Sequence, residues 1–302
     1  MADFEGLFKV LDDISEASAA RVDERMDSLL EMNMDEAERQ LAIIASDFER
    51  EYCEEMPQEA LGGQTIAGFL AGLGADDLCR MAGLHELYIT GFFPKCLKDR
   101  LRELKGTEEG SKVSAAIKGM CAITDDVTAS GVSSAIELYS AIPDGDFLDV
   151  IFRTMENAGR RVEQGEAEWE IATDGVFDAL NSNRSAEIDD AVVAYLDEAE
   201  ALSARHTNLL RYIAESRDKA EDAYRLVKKA IKESPDRPYL MELFVKIGNH
   251  RAISFIRGFI EKNPSLTDGL LLSEAIRAVT NLNGDPSDLI ELYQAKYGRE
   301  DA

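Results

Sequence analysis

Several residue types are scarce in this chain, and each scarcity closes off a class of chemistry. Its 302 residues include 3 His, 4 Cys, 7 Pro and a single Trp. The histidines, His85, His206 and His250, belong to no H-E-x-x-H or E-x-x-H pattern, which removes zincin and di-iron carboxylate readings. Cys53, Cys79, Cys96 and Cys121 form no C-x-x-C pair and have no histidine cluster beside them. They read as reduced, small apolar residues and not as a disulfide frame or a zinc site. Long apolar runs are also missing. The longest, Thr65 to Ala75, falls well short of the ~20 residues that a membrane-spanning helix needs. The opening MADFEGLFKVLDD lacks a basic n-region and a cleavage site, so no secretory signal is read and a cytoplasmic protein is expected. No G-x-S-x-G elbow, Walker loop or reactive-cysteine context is found. No stretch alternates β-branched residues over five or more positions, so the expected fold is all-α.

Positive charge is short as well. Against 59 Asp and Glu stand 33 Lys and Arg, a net charge of −26 and a pI near 4.5. Such a field repels phosphate backbones and disfavours nucleic acid as a partner. The imbalance is uneven. Residues 204–262 carry 13 cationic and 8 anionic side chains, whereas residues 1–203 are strongly acidic. A basic stretch on an acidic molecule suits an acidic peptide, the chain's own N-terminal half or a second copy, and a solvated mixed surface is the plainer reading.

What is present is a repeat. The segments DAYRLVKKAIKESP (Asp222 to Pro235) and RAISFIRGFIEKNP (Arg251 to Pro264) register without a gap. Ala223 falls over Ala252, Val227 over Ile256, Ile231 over Ile260 and Pro235 over Pro264. Apolar or small residues thus recur on one face of a helix that a proline brings to an end. A third segment, Asp288 to Gly298, keeps Leu289 and Tyr293 on the stripe and ends in glycine. Turns at Gly248-Asn249 and Gly284-Asp285 separate these helices from preceding apolar ones bearing Tyr239, Leu240, Phe244 and Ile247, then Leu270, Leu271, Ile276 and Val279. The unit is helix, turn, helix, proline, and Pro235 and Pro264 are 29 residues apart. Periods of about 20–50 residues belong to solenoids, because one hairpin cannot bury its own apolar face.

This pattern resembles the tetratricopeptide repeat family, whose second helix carries a small residue, bulky residues one turn on and a closing proline. A weaker unit starts at Asp190-Ala191, with Tyr195 one turn on. The chain departs from the family in a period shorter than the usual ~34 residues, in the absent first-helix tryptophan, and in Arg211 and Met241 where a small residue is usual. The resemblance implies that the first helix of each hairpin lines a groove for an extended peptide or a partner helix. The matching positions are Asn208, Tyr212 and Glu215, then Glu242, Val245 and Lys246. Arg205 and Asn208 hint at the cationic clamp with which some members hold a C-terminal carboxylate; Glu242 opposes it, and no such clamp is predicted. The candidate groove residues are therefore Arg205, Asn208, Tyr212, Glu242 and Lys246. A HEAT-like or other α-solenoid is the near alternative.

Upstream, the pattern is helical, either a separate domain or a continuation of the solenoid. Residues 3–32 read as one amphipathic helix with Phe4, Leu7, Leu11, Ile14, Ser18, Val22, Met26 and Leu29 on a stripe, either packed on its own domain or forming a coiled-coil arm. Asp35 and Glu38 have capping-box spacing. Gly68-x-x-x-Gly72 has the spacing of a close helix–helix approach. Residues 84–104 carry an aromatic cluster (Tyr88, Phe92, Phe93) and then a basic half, and Pro94 should split them. Such an amphipathic stretch is read as core, with a membrane surface or a partner as the alternative. GTEEG at 106–110 and the polar run at 181–184 mark boundaries. The expected organisation is an acidic helical region over 1–106, a middle helical region over 107–184 and tetratricopeptide-like hairpins over 185–302.

Two motifs invite chemistry. Asp126, Thr128, Ser130, Gly131 and Glu137 have EF-hand spacing. Hydroxyls at positions three and five give little charge, so a capped helix start at Thr128 or Ser130, with Ile136 and Tyr139 in the core, is preferred. Paired aspartates, including Asp189-Asp190, invite comparison with prenyl-transferring enzymes that hold magnesium-diphosphate, but no third aspartate follows within a turn. The reading is a non-enzymatic interaction scaffold or adaptor without a cofactor, binding a protein or peptide partner, itself included as a homo-oligomer. The alternatives are an all-α enzyme with a carboxylate/Mg-diphosphate site and a self-assembling structural protein.

Overall fold

The computed structural model describes residues 4–26, 29, 34–89, 93–124 and 127–297. Asp125, Asp126, Phe92, Gly298, the far end of the 3–32 stripe and the Asp35 and Glu38 side chains lie outside that description. Among the described residues all regular structure is helical, in seventeen α-helices with a few short 3-10 turns and one π turn. Extended backbone pairs only in an isolated antiparallel bridge between Gln58 and Gln64. No described helix is long and apolar enough to cross a membrane. The chain forms two compact units, Met1–Thr154 with Glu168–Ala179, and Met155–Ala167 with Leu180–Ala302.

The first unit contains α1 (Phe4–Asp23), α2 (Met34–Arg50), α3 (Ile66–Ala71), α4 (Ala75–Ala82), α5 (His85–Ile89), α6 (Lys95–Leu104), α7 (Glu108–Met120) and α8 (Ala129–Ala141). Helix α1 buries Phe4, Leu7, Val10, Leu11 and Ile14 and packs on α2. It ends at Asp23 and does not run on to 32. Helix α2 runs into a π turn, Glu51–Glu55, in which the Met56 N–H reaches the Glu51 carbonyl at 3.0 Å. Both this turn and α6 pack on α3. The glycines at 68 and 72 are not an interhelical contact. The Gly68 N–H is capped by Thr65 Oγ1 at 3.1 Å, Gly72 is the C-cap of α3, and a Cβ on either would meet only atoms of this same short segment.

Pro94 splits the aromatic and basic halves as predicted and sits at the N-cap of α6. Tyr88 and Phe93 are buried in edge contact with ring centroids 6.4 Å apart, and the Tyr88 hydroxyl donates to the Ala82 carbonyl at 2.5 Å. The basic residues of α6 are tied locally, Arg102 to Asp99 at 2.7 Å, Arg100 to Glu103 at 3.0 Å and Lys98 to Glu137 at 3.0 Å. That pairing explains the amphipathic pattern as core packing with a neutralised outer edge. Thr107 of GTEEG caps α7, accepting from the Gly110 N–H at 2.9 Å. A Cβ on Gly110 would lie 2.0 Å from the Leu104 carbonyl oxygen, so only glycine fits this turn. Thr128 caps α8 through the Gly131 N–H at 3.1 Å, Ile136 and Tyr139 are buried, and Glu137 faces Lys98. These residues build a helix start.

Helices α9 (Phe147–Glu163) and α10 (Glu170–Ser182) contain the unit boundaries. The second unit continues with α11 (Ala186–Glu198), α12 (Thr207–Ala214), α13 (Ala220–Glu233), α14 (Arg237–Ile247), α15 (Arg251–Lys262), α16 (Gly269–Asn281) and α17 (Ser287–Tyr297). The registered positions Ala223, Val227, Ile231, Ala252, Ile256 and Ile260 are all buried. Helices α13 and α15 each stop two residues before their proline. Helix α12 packs on α13 and α14, α14 on α13 and α16, and α16 on α15 and α17. Two expected core residues lie outside it. Leu270 is 62% exposed while Leu272 is buried, and Tyr293 on α17 is 37% exposed. No described helix follows α17 to cover that face.

Candidate functional site

Several polar cross-links in the second unit span 28 to 32 residues. Asp190 is joined to Lys219, 29 residues on. The Arg225 guanidinium holds Asp197, with its Nη2 2.8 Å from Oδ2 across 28 residues. Glu215 accepts from Lys246 at 3.2 Å across 31 residues, and Glu221 is paired with Arg251 across 30. Arg257 reaches Asp288 at 3.0 Å, and the His250 ring nitrogen lies 2.9 Å from the Leu282 carbonyl oxygen. Each bond joins a helix or turn to one lying 28 to 32 residues further along.

On the first helices of the hairpins these bonds merge into one row of alternating charge. Arg211 contacts Glu215 at 3.4 Å, Glu215 contacts Lys246 at 3.2 Å, and Lys246 contacts Glu242 at 3.9 Å. Glu242 contacts Arg277 at 3.7 Å, which in turn holds Glu274 at 2.8 Å. Glu242 and Lys246 are thus brought together as neighbours, each between two opposite charges. Helical periodicity explains it: 242 and 246 are one turn apart, so they share a face. A partly exposed ladder of this kind contributes little stability per pair. It does present a fixed, alternating pattern of donors and acceptors.

The other three predicted residues do not join this row. Tyr212 is fully buried, and its hydroxyl donates to Asp189 Oδ1 at 2.6 Å. Ser216 Oγ donates to Asp189 Oδ2 at 2.6 Å. The Arg184 guanidinium lies 4.1 Å from the centroid of the Tyr212 ring and donates to the Tyr212 carbonyl at 2.9 Å. Burial and the carboxylate push the phenol's pKa up. Tyr212 is an internal strut, so it offers no ring to a groove, and the expectation that it lines one is corrected. Asn208 is half-buried in the first turn of α12.

Arg205 sits elsewhere, in the 3-10 turn Ala204–His206. Its Nη1 is 2.9 Å from Glu156 Oε1, and the Tyr195 hydroxyl is 3.3 Å from Glu156 Oε2. These residues, with Glu198, Ala201 and His206, line a cavity of about 440 Å³. His206 is 3% exposed and accepts at Nδ1 from the Ser203 N–H at 3.2 Å. Burial, reinforced by Arg205, pulls its pKa below 6.5, against the opposing pull of Glu156 and Glu163. The turn lies directly on α9, where a Cβ on Gly159 would stand 2.3 Å from that of Arg205. Arg205 is committed to Glu156 and is not the open cation that a carboxylate clamp requires.

The basic stretch found in the sequence maps to a different face. The Lys228 ammonium lies 5.0 Å from the Tyr224 ring centroid and 5.1 Å from that of Phe255, and Arg251 lies 5.1 Å from the Tyr224 ring. Tyr224, Lys228 and Arg251, with Arg225, Lys229 and Lys232 and the carboxylates Glu221, Asp222 and Glu233, border a shallow cavity of about 550 Å³. The charge pattern marks the segment but not the rings beneath the cations, since Phe255 comes from a different helix, α15.

The paired aspartates diverge. Asp189 turns inward to two hydroxyls and Asp190 turns outward to Lys219. Among the described residues no group of three or more His, Cys, Asp or Glu is placed to hold a metal ion. One pair was not legible in the sequence: the thiols of Cys53 and Cys96 lie within hydrogen-bonding reach of each other. No protein-family model, curated protein or solved structure matches this chain.

Proposed function

We propose that this chain is a non-enzymatic interaction scaffold whose residues 185–302 form a tetratricopeptide-like array of helical hairpins, working without a cofactor in the cytoplasm. The observation that carries this reading is the recurrence of cross-links 28 to 31 residues apart, from Lys219–Asp190 to Arg257–Asp288. A chain that repeats its joints at one spacing presents equivalent surfaces side by side, which suits an extended segment of a protein or peptide partner. The charge row through Glu215, Lys246, Glu242 and Arg277 is the proposed contact face. Alternating charges there would select register and partner more than they add affinity.

The test uses full-length protein as bait, beside a Lys246→Glu/Arg277→Glu variant whose helicity is checked by circular dichroism. A stoichiometric protein captured by the first and lost from the second supports the face and the function together. The same proteins recovered at the same stoichiometry with both baits would remove this face as the docking surface. Capture of nothing by either, joined to magnesium-dependent binding of a diphosphate, would replace the scaffold with the enzyme alternative.

A further inference from the structure

Four cysteines spread over 69 residues of sequence look unrelated, but the fold brings two of them together. Cys53 lies in the π turn Glu51–Glu55, whose widened backbone succeeds the last turn of α2, and it is 2% exposed. Cys96 occupies the second position of α6, directly after Pro94 and Lys95, and is partly exposed. Two independent features hold these segments in place. The π turn and α6 pack on the same short helix, α3, and the Lys95 N–H donates to the Glu49 carboxylate, one turn before Cys53. Both thiols are free. The remaining cysteines differ: Cys121 is buried with its thiol donating to the Ile117 carbonyl at 3.6 Å, and Cys79 stands on α4.

We propose that Cys53 and Cys96 are an oxidation site, a dithiol in which Cys96 meets a hydroperoxide-class oxidant and Cys53 then closes a disulfide. The division of labour follows from exposure, since Cys96 is partly exposed and Cys53 is 2% exposed. Cys96 is the reachable thiol, and the hydrogen bond from Cys53 lowers its pKa against the opposing effects of burial and the Glu49 carboxylate, with the N–H groups of Leu97 and Cys96 at the helix start assisting. Cys53 keeps its proton, since its bond to Cys96 and its burial both push its pKa up. In the first step the Cys96 sulfur attacks one peroxide oxygen. An S–O bond forms, the O–O bond breaks, and the departing oxygen takes a proton and leaves as water or alcohol. The sulfur has lost two electrons to the peroxide. In the second step the Cys53 sulfur attacks that of Cys96, an S–S bond forms and the S–O bond breaks. The leaving hydroxide takes the Cys53 proton and departs as a second water. The result would clamp the end of α2 to the start of α6.

The test treats the full-length protein with one equivalent of hydrogen peroxide, followed by thiol titration and peptide mapping without reductant. Free thiols should fall from four to two, with Cys53 and Cys96 in one linked peptide. The Cys96→Ser variant should lose none of its remaining thiols, and Cys53→Ala should accumulate a sulfenic acid at Cys96 that dimedone traps. Because Cys53 is in the core, a second readout needs no variant: iodoacetamide should alkylate wild-type Cys96 several-fold faster than Cys79. Linkage through Cys79 or Cys121, crosslinks only between molecules, or Cys96 no faster than Cys79 would each overturn the assignment.

Discussion

The two compact units are built on different principles. The second unit reuses one joint. Its helices α13 and α15 bury the positions that register in the sequence, and several of its cross-links span 28 to 31 residues. The first unit has links of similar span, Arg21 to Glu51 across 30 residues and Lys118 to Asp146 across 28, but leans more on local geometry. It is assembled from singular fits: a π turn, a glycine pressed on a carbonyl, a proline at a helix start and a buried tyrosine bonded to the Ala82 carbonyl. A repeated joint spreads stability over many small equivalent contacts, whereas singular fits concentrate it at a few positions. The units should therefore respond differently to substitution.

The largest loss is expected where the second unit breaks its own rule, at a singular buried group. Asp189 is buried and accepts from Tyr212 and Ser216 at 2.6 Å each. Asp189→Ala leaves two buried hydroxyls unsatisfied, and hydrogen bonds to a charged group are worth about 1.5–3 kcal/mol each. Urea unfolding should show that loss, and amide exchange should quicken in α11 and α12. A change within 0.5 kcal/mol of zero, a threshold of about the usual surface effect, would mean that water replaces the carboxylate without cost.

The matching break in the first unit is Gly110→Ala. An added methyl group would meet the Leu104 carbonyl at 2.0 Å, so the turn between α6 and α7 has to shift. Overpacking of this kind costs about 1–3 kcal/mol, whereas Gly258→Ala on α15, which meets nothing within 4 Å, should not destabilise. Equal losses at the two glycines would show that the first unit is no less tolerant than the second.

The same contrast decides what was legible in the sequence. The second helices of the hairpins were, because a register of small and bulky residues closed by Pro235 and Pro264 specifies both the buried stripe and its end. Thr128 and Pro94 were legible for the same local reason, as a cap and a helix breaker. The failures all depend on a neighbour supplied from elsewhere in the chain. Tyr212 lies on the helix that the repeat pattern assigns to the groove, but Asp189, from the preceding helix, draws it inward. The spacing of Gly68 and Gly72 says nothing about whether a second helix is there to approach. Cys53 and Cys96 are 43 residues apart, and nothing local marks them as partners. In the candidate site, Glu215, Glu242 and Lys246 were all read as groove positions from the resemblance, while Arg277, which completes their row, comes from a further helix, α16.

The smallest effect is a pH slope, and it separates the units by window. His206 in the second unit has its pKa drawn below 6.5 by burial and by Arg205, with Glu156 and Glu163 opposing. A depressed histidine contributes stability that is complete above the unfolded value and is lost as pH falls through the folded one, because the unfolded chain binds the proton first. In the first unit burial raises the pKa of Asp144, but the Lys118 ammonium at 2.8 Å and the Tyr139 hydroxyl at 2.5 Å more than offset it, and the net shift is downward from 3.8. Its contribution persists above that value and is lost only as pH falls further. Mild acidification should thus weaken the second unit while the first is unchanged. Trp169, the chain's single tryptophan, is buried in the first unit and reports on it by fluorescence, and amide exchange in α12 and α13 reports on the second. His206→Asn should flatten the exchange slope below pH 6.5 and leave the tryptophan signal as it was. A slope that survives the substitution would move the acid sensitivity to the carboxylates around the Arg205 turn, where Glu156 already bonds Arg205 and Tyr195.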